Sequence, residues 1–283
     1  MPNHSSGELT FPAGPSFAER ARRFHAEGRP PAPARRAATV PLLRPAPSGG
    51  AGFEVYLIRR AATMTFGGMY AFPGGSVDPA DSSARLDWAG PGPEQWGERL
   101  GLPPAEAQAL VCAAAREVFE EAGVLLAGPH PDEVLGDVSG DEWERCRQAL
   151  VDGRTSFAEL LRDCRLTLRS DLLLPWSRWI TPEFEARRFD TYFFLALLPE
   201  GQRTRDVSGE ADRTLWLSPA DAAARATAGE LTMLPPTRVT LTEIAGCADL
   251  AALPTVAARR DPARPMMPRL EPDPDGGAHF VLD

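Results

Sequence analysis

Lysine is absent from the chain: all 30 basic residues are arginine. Without an ε-amine there is no Schiff-base nucleophile and no phosphate-loop lysine, so imine catalysis and P-loop chemistry are excluded. Asparagine occurs once, at Asn3, and with the missing lysine this reads as the coding bias of a GC-rich bacterial genome. Positive charge is outweighed as well, 39 acidic residues leaving a net charge of −9. That balance argues against a broad nucleic-acid or anionic-membrane surface. Cysteine is sparse: Cys112, Cys146, Cys164 and Cys247 are widely spaced with no C-x-x-C, which reads as reduced thiols. His4, His25, His130 and His279 form no cluster. No apolar run approaches the ~18 residues of a membrane span. The opening residues carry neither a basic nor an apolar segment of the signal-peptide kind. A cytoplasmic setting is expected.

What is present is ordinary globular material. The 283 residues are about twice the ~150 of a typical domain, with 43% hydrophobic and 24% charged residues. That is enough for a core without disulfides or a structural metal. The 25 glycines and 29 prolines gather at the two ends and in one internal stretch. The expected organisation is therefore a flexible arm over 1–36 with a helical patch at 17–25, one domain over 37–257, and a Pro-rich tail over 258–283. In that tail, MMPRL and HFVLD flank PDPDGG as a late hairpin. Within the domain, β-rich runs at 39–43 and 53–58 flank a loose hairpin loop. A Gly-rich turn follows at 67–75, and 76–104 reads as an insertion with a short helix at 94–100. The strongest helix spans 105–122, where Leu110, Val111, Ala114 and Val118 repeat at helical spacing and Gly123 supplies the stop. Further helices are expected over 141–164, 218–228 and 236–245, with strands at 124–126, 179–180, 191–198 and 213–217. Strands and helices mix without a regular β-α-β alternation, which predicts an α+β fold.

The chemistry concentrates in Arg116-Glu117-Val118-Phe119-Glu120-Glu121-Ala122-Gly123-Val124. On a helix, Glu117 lies three residues from Glu120 and four from Glu121, so the three carboxylates share one sector. Like charges at that spacing are mutually unfavourable, and only Arg116 stands beside them. A hard divalent cation among the carboxylates would resolve the conflict. Oxygen donors with no neighbouring His or Cys point to Mg²⁺ or Mn²⁺ rather than zinc.

This nonapeptide, preceded by the turn Pro73-Gly74-Gly75, resembles the box of the Nudix hydrolases, R-E-U-x-E-E-x-G-U with U aliphatic. The resemblance implies a Nudix-type α/β/α sandwich with a mixed sheet and an additional helical insertion. It implies Glu117, Glu120 and Glu121 as metal ligands, Arg116 as the residue that orients carboxylates, and Gly74 and Gly75 at the edge of the site. Gly75 and Arg116 stand 41 residues apart, far more than in an uninterrupted box. The box's first glutamate falls on Asp81 counted forward from Gly75, and on Gln108 counted back from Arg116.

An interrupted box resembles the coenzyme A diphosphatase branch of the family. The segments Trp176-Ser177-Arg178-Trp179-Ile180-Thr181-Pro182, Arg188-Phe189-Asp190-Thr191 and Leu234-Pro235-Pro236-Thr237 are similar to that branch as well. The implied enzyme is a metal-dependent diphosphatase, cleaving coenzyme A or an acyl-coenzyme A to 3′,5′-ADP and (acyl-)phosphopantetheine with metal-activated water. Glu120 and Glu210 are the candidate bases. Arg59, Arg60, Arg187 and Arg188 are candidates for phosphate contact, since arginine pairs with phosphate bidentately. The partner is a small diphosphate, with neither nucleic acid nor membrane expected. The rivals are ADP-ribose, a dinucleotide or a nucleoside triphosphate as substrate, and a Nudix-fold binding or regulatory module without turnover. The sequence does not assign a role to the 76–104 insertion; a lid over the substrate is one hypothesis. Trp176 and Trp179 read as core or rim packing, and Cys112 as a small core residue.

Overall fold

The computed structural model describes residues 9–47, 49–50, 52–61, 67–82, 86–205, 211–273 and 277–282. Its centre is a nine-stranded mixed sheet. Along its main path run Ala211–Leu217, Phe53–Arg60, Leu42–Pro45, Arg188–Leu197, Leu173–Ile180 and Pro265–Met266. The segment 34–45 runs parallel to Arg188–Leu197 but changes its second partner on the way. Ala34–Thr39 pairs antiparallel with the short strand Gly74–Ser76, whereas Leu42–Pro45 pairs with Phe53–Arg60. The sheet therefore splays, and the glycine-bearing strand is left at an edge.

Alternation along the strands assigns the two faces. Tyr56, Ile58, Tyr192 and Phe194 join the core of one face, while Val55, Leu57, Phe193 and Leu195 join that of the other. This is the period-two consequence of extended backbone buried on both sides. On the first face lies the helix Pro104–Ala122, which we call the motif helix. Leu110, Val111, Ala114, Val118 and Phe119 are almost completely buried there. Each of the larger ones, Leu110, Val111, Val118 and Phe119, contributes roughly 1.5–3 kcal/mol on full burial. The motif helix ends where Gly123 takes φ +68°, its N–H donating to the Phe119 carbonyl at 3.0 Å. On the second face lie Pro219–Thr227, Pro235–Ala245 and Leu253–Ala258, through Ala222, Val239, Leu241, Ile244 and Leu253. The result is the helix–sheet–helix layering expected from the sequence.

The insertion contributes Trp88–Ala89, which joins a small sheet with Thr167–Arg169 and Ala127–Gly128, and the helix Pro93–Leu100. Trp96, Leu100 and Leu102 pack into the first-face core beside the motif helix. The helices Asp141–Val151 and Phe157–Asp163 cover that helix from outside through Leu150, Phe157, Leu160 and Leu161.

The chain ends depart from the expected arm and tail. Leu9–Pro12, Ala278–Leu282 and Arg269–Pro272 form a three-stranded sheet, with the helix Pro15–Glu27 beside it. The hairpin expected in the tail is part of that sheet. The boundary expected at residue 36 falls inside Ala34–Thr39, because Arg188–Phe193 offers those residues a full ladder of backbone partners. Proline and arginine are poor local signals for a strand, so this tertiary pairing was invisible to composition. Among the described residues no single helix is long and apolar enough to cross a membrane.

Candidate active site

Arg116 is the hub of the motif. Its guanidinium donates from Nη1 to Glu117 Oε1 at 2.8 Å and to Glu120 Oε1 at 3.2 Å, and from Nη2 to the Ser76 carbonyl at 2.9 Å. Nε and Nη2 each reach the Asp81 carboxylate at 3.2 Å. Burial opposes the positive charge, but Glu117, Asp81 and Glu120 outweigh it and hold the guanidinium well above the ordinary arginine pKa. Arg116 therefore stays charged at every working pH.

The two halves of the interrupted motif meet here. Of the two positions indicated by counting, Asp81 contacts Arg116. It sits in the short helix Pro79–Ser82, is 2% exposed, and accepts the Asp78 N–H at 2.8 Å. Gln108 lies on the motif helix about two turns before Arg116. Cys112 is buried and donates to Asp81 Oδ1 at 3.5 Å. Burial and the adjacent carboxylate push its thiol well above the usual cysteine pKa, which agrees with a structural rather than nucleophilic role.

The glycines explain how carboxylates from one face of the sheet come to its edge. A Cβ on Gly75 would lie 2.7 Å from Glu117 Cδ, and one on Gly74 would lie 2.8 Å from Thr39 Cα. Only a backbone without side chains lets Glu117 approach this closely. The Gly74 N–H donates to Glu121 Oε2 at 2.7 Å, so the third motif carboxylate is engaged with the turn itself.

Glu117 and Glu120 line a cavity of about 790 Å³ together with Gly74, Gly75, Ser76 and Arg60. That volume lies within the ~300–1,000 Å³ typical of small-molecule sites. The floor is the second face of the sheet: Ala37, Thr39, Trp179, Phe189, Thr191 and Phe193 all line it. Asp190 and Tyr192 alternate away from it, Asp190 accepting from Arg178 at 2.7 and 2.8 Å and pairing with Arg36. A rim is supplied by Thr181, Glu185 and Thr237.

Other expected site residues are distributed unevenly. Arg60 and Arg187 reach the cavity. Arg59 instead forms a bidentate pair with Asp212 at 2.6 and 2.9 Å. Arg188 is engaged with the Thr181 and Ala32 carbonyls at 3.0 and 2.9 Å. Glu210 lies outside the described residues. Trp176 is buried away from the cavity, donating to Glu243 at 2.8 Å beneath Arg260, while Trp179 lines it. From 86 to 104, no described residue of the insertion borders the cavity. Those residues brace the motif helix, while Ser76, at the start of the insertion, lines the cavity. Sequence reasoning missed the walls formed by Phe17, Pro268 and Phe280, which come from the two chain ends.

Among the described residues, no three His, Cys, Asp or Glu side chains are arranged as a ready cation site. The donor chemistry fits a hard cation of the Mg²⁺ or Mn²⁺ type. Such ions take one or two protein carboxylates and draw the remaining oxygens from water and phosphate, and Glu117 and Glu120 both face the cavity. One guanidinium shared among Asp81, Glu117 and Glu120 gives the site a negative balance that attracts a cation.

A family model described as the NUDT19 Nudix domain matches residues 93–244. The acyl-coenzyme A diphosphatase NUDT19 of Gallus gallus is 32% identical over 236 residues, covering 68% of this chain and 61% of the relative. Its counterpart in Homo sapiens is 30% identical over 250 residues, covering 76% and 66%. The chain thus spans about two thirds or less of those relatives' length. A NUDIX hydrolase structure from Alicyclobacillus acidocaldarius superposes with a TM-score of 0.65 at 25% identity, covering 82% of this chain and 99% of that one.

Proposed function

The chain belongs to the NUDT19-type Nudix hydrolases, and on that premise we propose that it hydrolyses the diphosphate of coenzyme A or an acyl-coenzyme A in the cytoplasm. The products are 3′,5′-ADP and (acyl-)phosphopantetheine. The observation that carries the reading is the entry of Glu117 and Glu120, beside Gly74 and Gly75, into one large cavity with extended apolar walls. A diphosphate carrying a long, partly apolar substituent suits that shape, and the relatives named acyl-coenzyme A diphosphatases support the same substrate class.

Glu117, Glu120 and Glu121 would hold Mg²⁺ or Mn²⁺. When bound, such an ion neutralises charge on the diphosphate and lowers the pKa of water. Arg116 fixes the Glu117 and Glu120 carboxylates through Nη1 and keeps its own proton. Arg60 pairs with a substrate phosphate, as guanidinium forks do. Glu120 takes the proton of the attacking water as the new P–O bond forms. The bridging P–O bond breaks, and its electron pair leaves with the departing phosphate. Glu210 is the alternative proton acceptor.

The test is chromatographic product analysis with Mg²⁺ or Mn²⁺ and coenzyme A, an acyl-coenzyme A, ADP-ribose, NADH and a nucleoside triphosphate. Release of 3′,5′-ADP from the coenzyme A compounds, lost on chelation, is expected. Turnover confined to the other substrates would keep the site and discard the coenzyme A assignment. Ligand binding with no turnover of any substrate would leave a non-catalytic module.

A further inference from the structure

The cavity wall farthest in sequence from the motif is made by the two ends of the chain. Leu9–Pro12 runs antiparallel to Ala278–Leu282, from Leu9 opposite Leu282 to Pro12 opposite His279. The Ala13 N–H continues the contact by donating to the Ala278 carbonyl at 2.9 Å. Beside this small sheet, the helix Pro15–Glu27 sets Phe17 edge-on against Phe280, with ring centroids 5.1 Å apart at 76°. Arg20 lies over the Phe17 ring at 4.5 Å and donates to Glu185 at 2.8 Å, fastening the helix to the cavity rim. Phe17, Pro268 and Phe280 line the same cavity as Glu117 and Glu120, yet all three lie outside the 93–244 matched by the family model.

The chemistry of this wall is one-sided. Phe17, Pro268 and Phe280 are apolar, and Arg20 and Glu185 beside them are paired with each other, while Arg187 lines the cavity elsewhere on its rim. A nucleobase is recognised by donors and acceptors aimed at its edge, whereas an alkyl chain needs only apolar surface and the exclusion of water. We propose that Phe17 and Phe280 receive the acyl group of the substrate and set a preference for acylated over free coenzyme A. The proposal rests on the coenzyme A reading above. A well-buried methylene strengthens binding by at most roughly fourfold, so a few methylenes at this wall suffice for a clear preference.

The experiment is kcat/KM for free, acetyl-, butyryl-, hexanoyl- and octanoyl-coenzyme A in the full-length protein and in Phe17→Ala, Phe17→Leu and Phe280→Ala, with a thermal melt of each. In the unsubstituted protein, kcat/KM is expected to rise by about tenfold or more from free to octanoyl, mainly through KM. Phe17→Ala should flatten that rise to about threefold or less, while Phe17→Leu keeps most of it. Phe280 is 4% exposed and its truncation can unfold the small sheet, whereas Phe17 is half-buried on a helix and keeps the test informative. A slope unchanged in Phe17→Ala, or no slope in the unsubstituted protein, would overturn the proposal while leaving coenzyme A as substrate. If the unsubstituted protein cleaves ADP-ribose but no coenzyme A compound, the coenzyme A reading fails and the proposal falls with it.

Discussion

At one end of the cavity, two glycines on the strand Gly74–Ser76 and two carboxylates on the motif helix meet around Arg116. At the other, Phe17 and Phe280 come from opposite ends of the chain and meet through a strand pairing. The first end is polar, tightly hydrogen-bonded and matched by a widespread family motif. The second is apolar and built from van der Waals contact between the two ends of the chain. Chemistry that must place charge to within a fraction of an ångström is thus fixed by a dense set of hydrogen bonds centred on Arg116. Selection of a substituent by its apolar bulk tolerates a looser wall assembled from distant pieces.

Substitutions at the polar end should separate the two roles most sharply. Glu120→Gln removes a carboxylate that faces the cavity while keeping its size, and kcat should fall by roughly 10²–10⁴. Steady-state kinetics with a folded-state check by circular dichroism reads this, and a loss confined to KM would contradict the assignment. Gly75→Ala is the steric counterpart. Its methyl would intrude on the Glu117 carboxylate, and displacing a reacting group by about 1 Å costs on the order of 10²-fold in rate. Retention of normal kcat would show that the close approach of the turn is dispensable.

Asp81→Ala addresses the insertion instead. Breaking one partner of a buried ion pair costs about 3–5 kcal/mol. Because Glu117 and Glu120 still engage Arg116, a loss near the lower limit is expected in chemical denaturation. An unchanged unfolding midpoint would remove Asp81 from the structural account. The smallest contrast is between adjacent arginines. Arg60→Ala, at the cavity, should raise KM several-fold. Arg59→Ala removes only an exposed pair with Asp212, of the kind that contributes little, and should leave kinetics within about twofold. Equal effects from the two would contradict the placement of Arg60 at the cavity and of Arg59 on Asp212.

How much of this could be read beforehand follows the same division. The carboxylate spacing, the glycine stop after the motif helix and the β-rich run at 191–198 are local, so sequence pattern carried them. Counting residues could not choose between Asp81 and Gln108, because the choice depends on which side of the insertion folds back onto Arg116. The packing of residues 86–104 was hidden for a related reason. Trp96, Leu100 and Leu102 are apolar enough to be drawn into the core beside the motif helix, a preference that Gly and Pro content conceals. The chain ends misled most. Their β-pairing joins residues such as Leu9 and Leu282, and no local pattern in a Pro- and Arg-rich segment reports a partner so distant.

The division of labour within the cavity is tested most directly by the acyl-chain-length profile of kcat/KM in Glu120→Gln and Phe17→Ala measured side by side. The account predicts that Glu120→Gln lowers every point by a similar large factor and leaves the slope intact. Phe17→Ala should flatten the slope. Parallel profiles for the two variants, displaced without any change of slope, would contradict it.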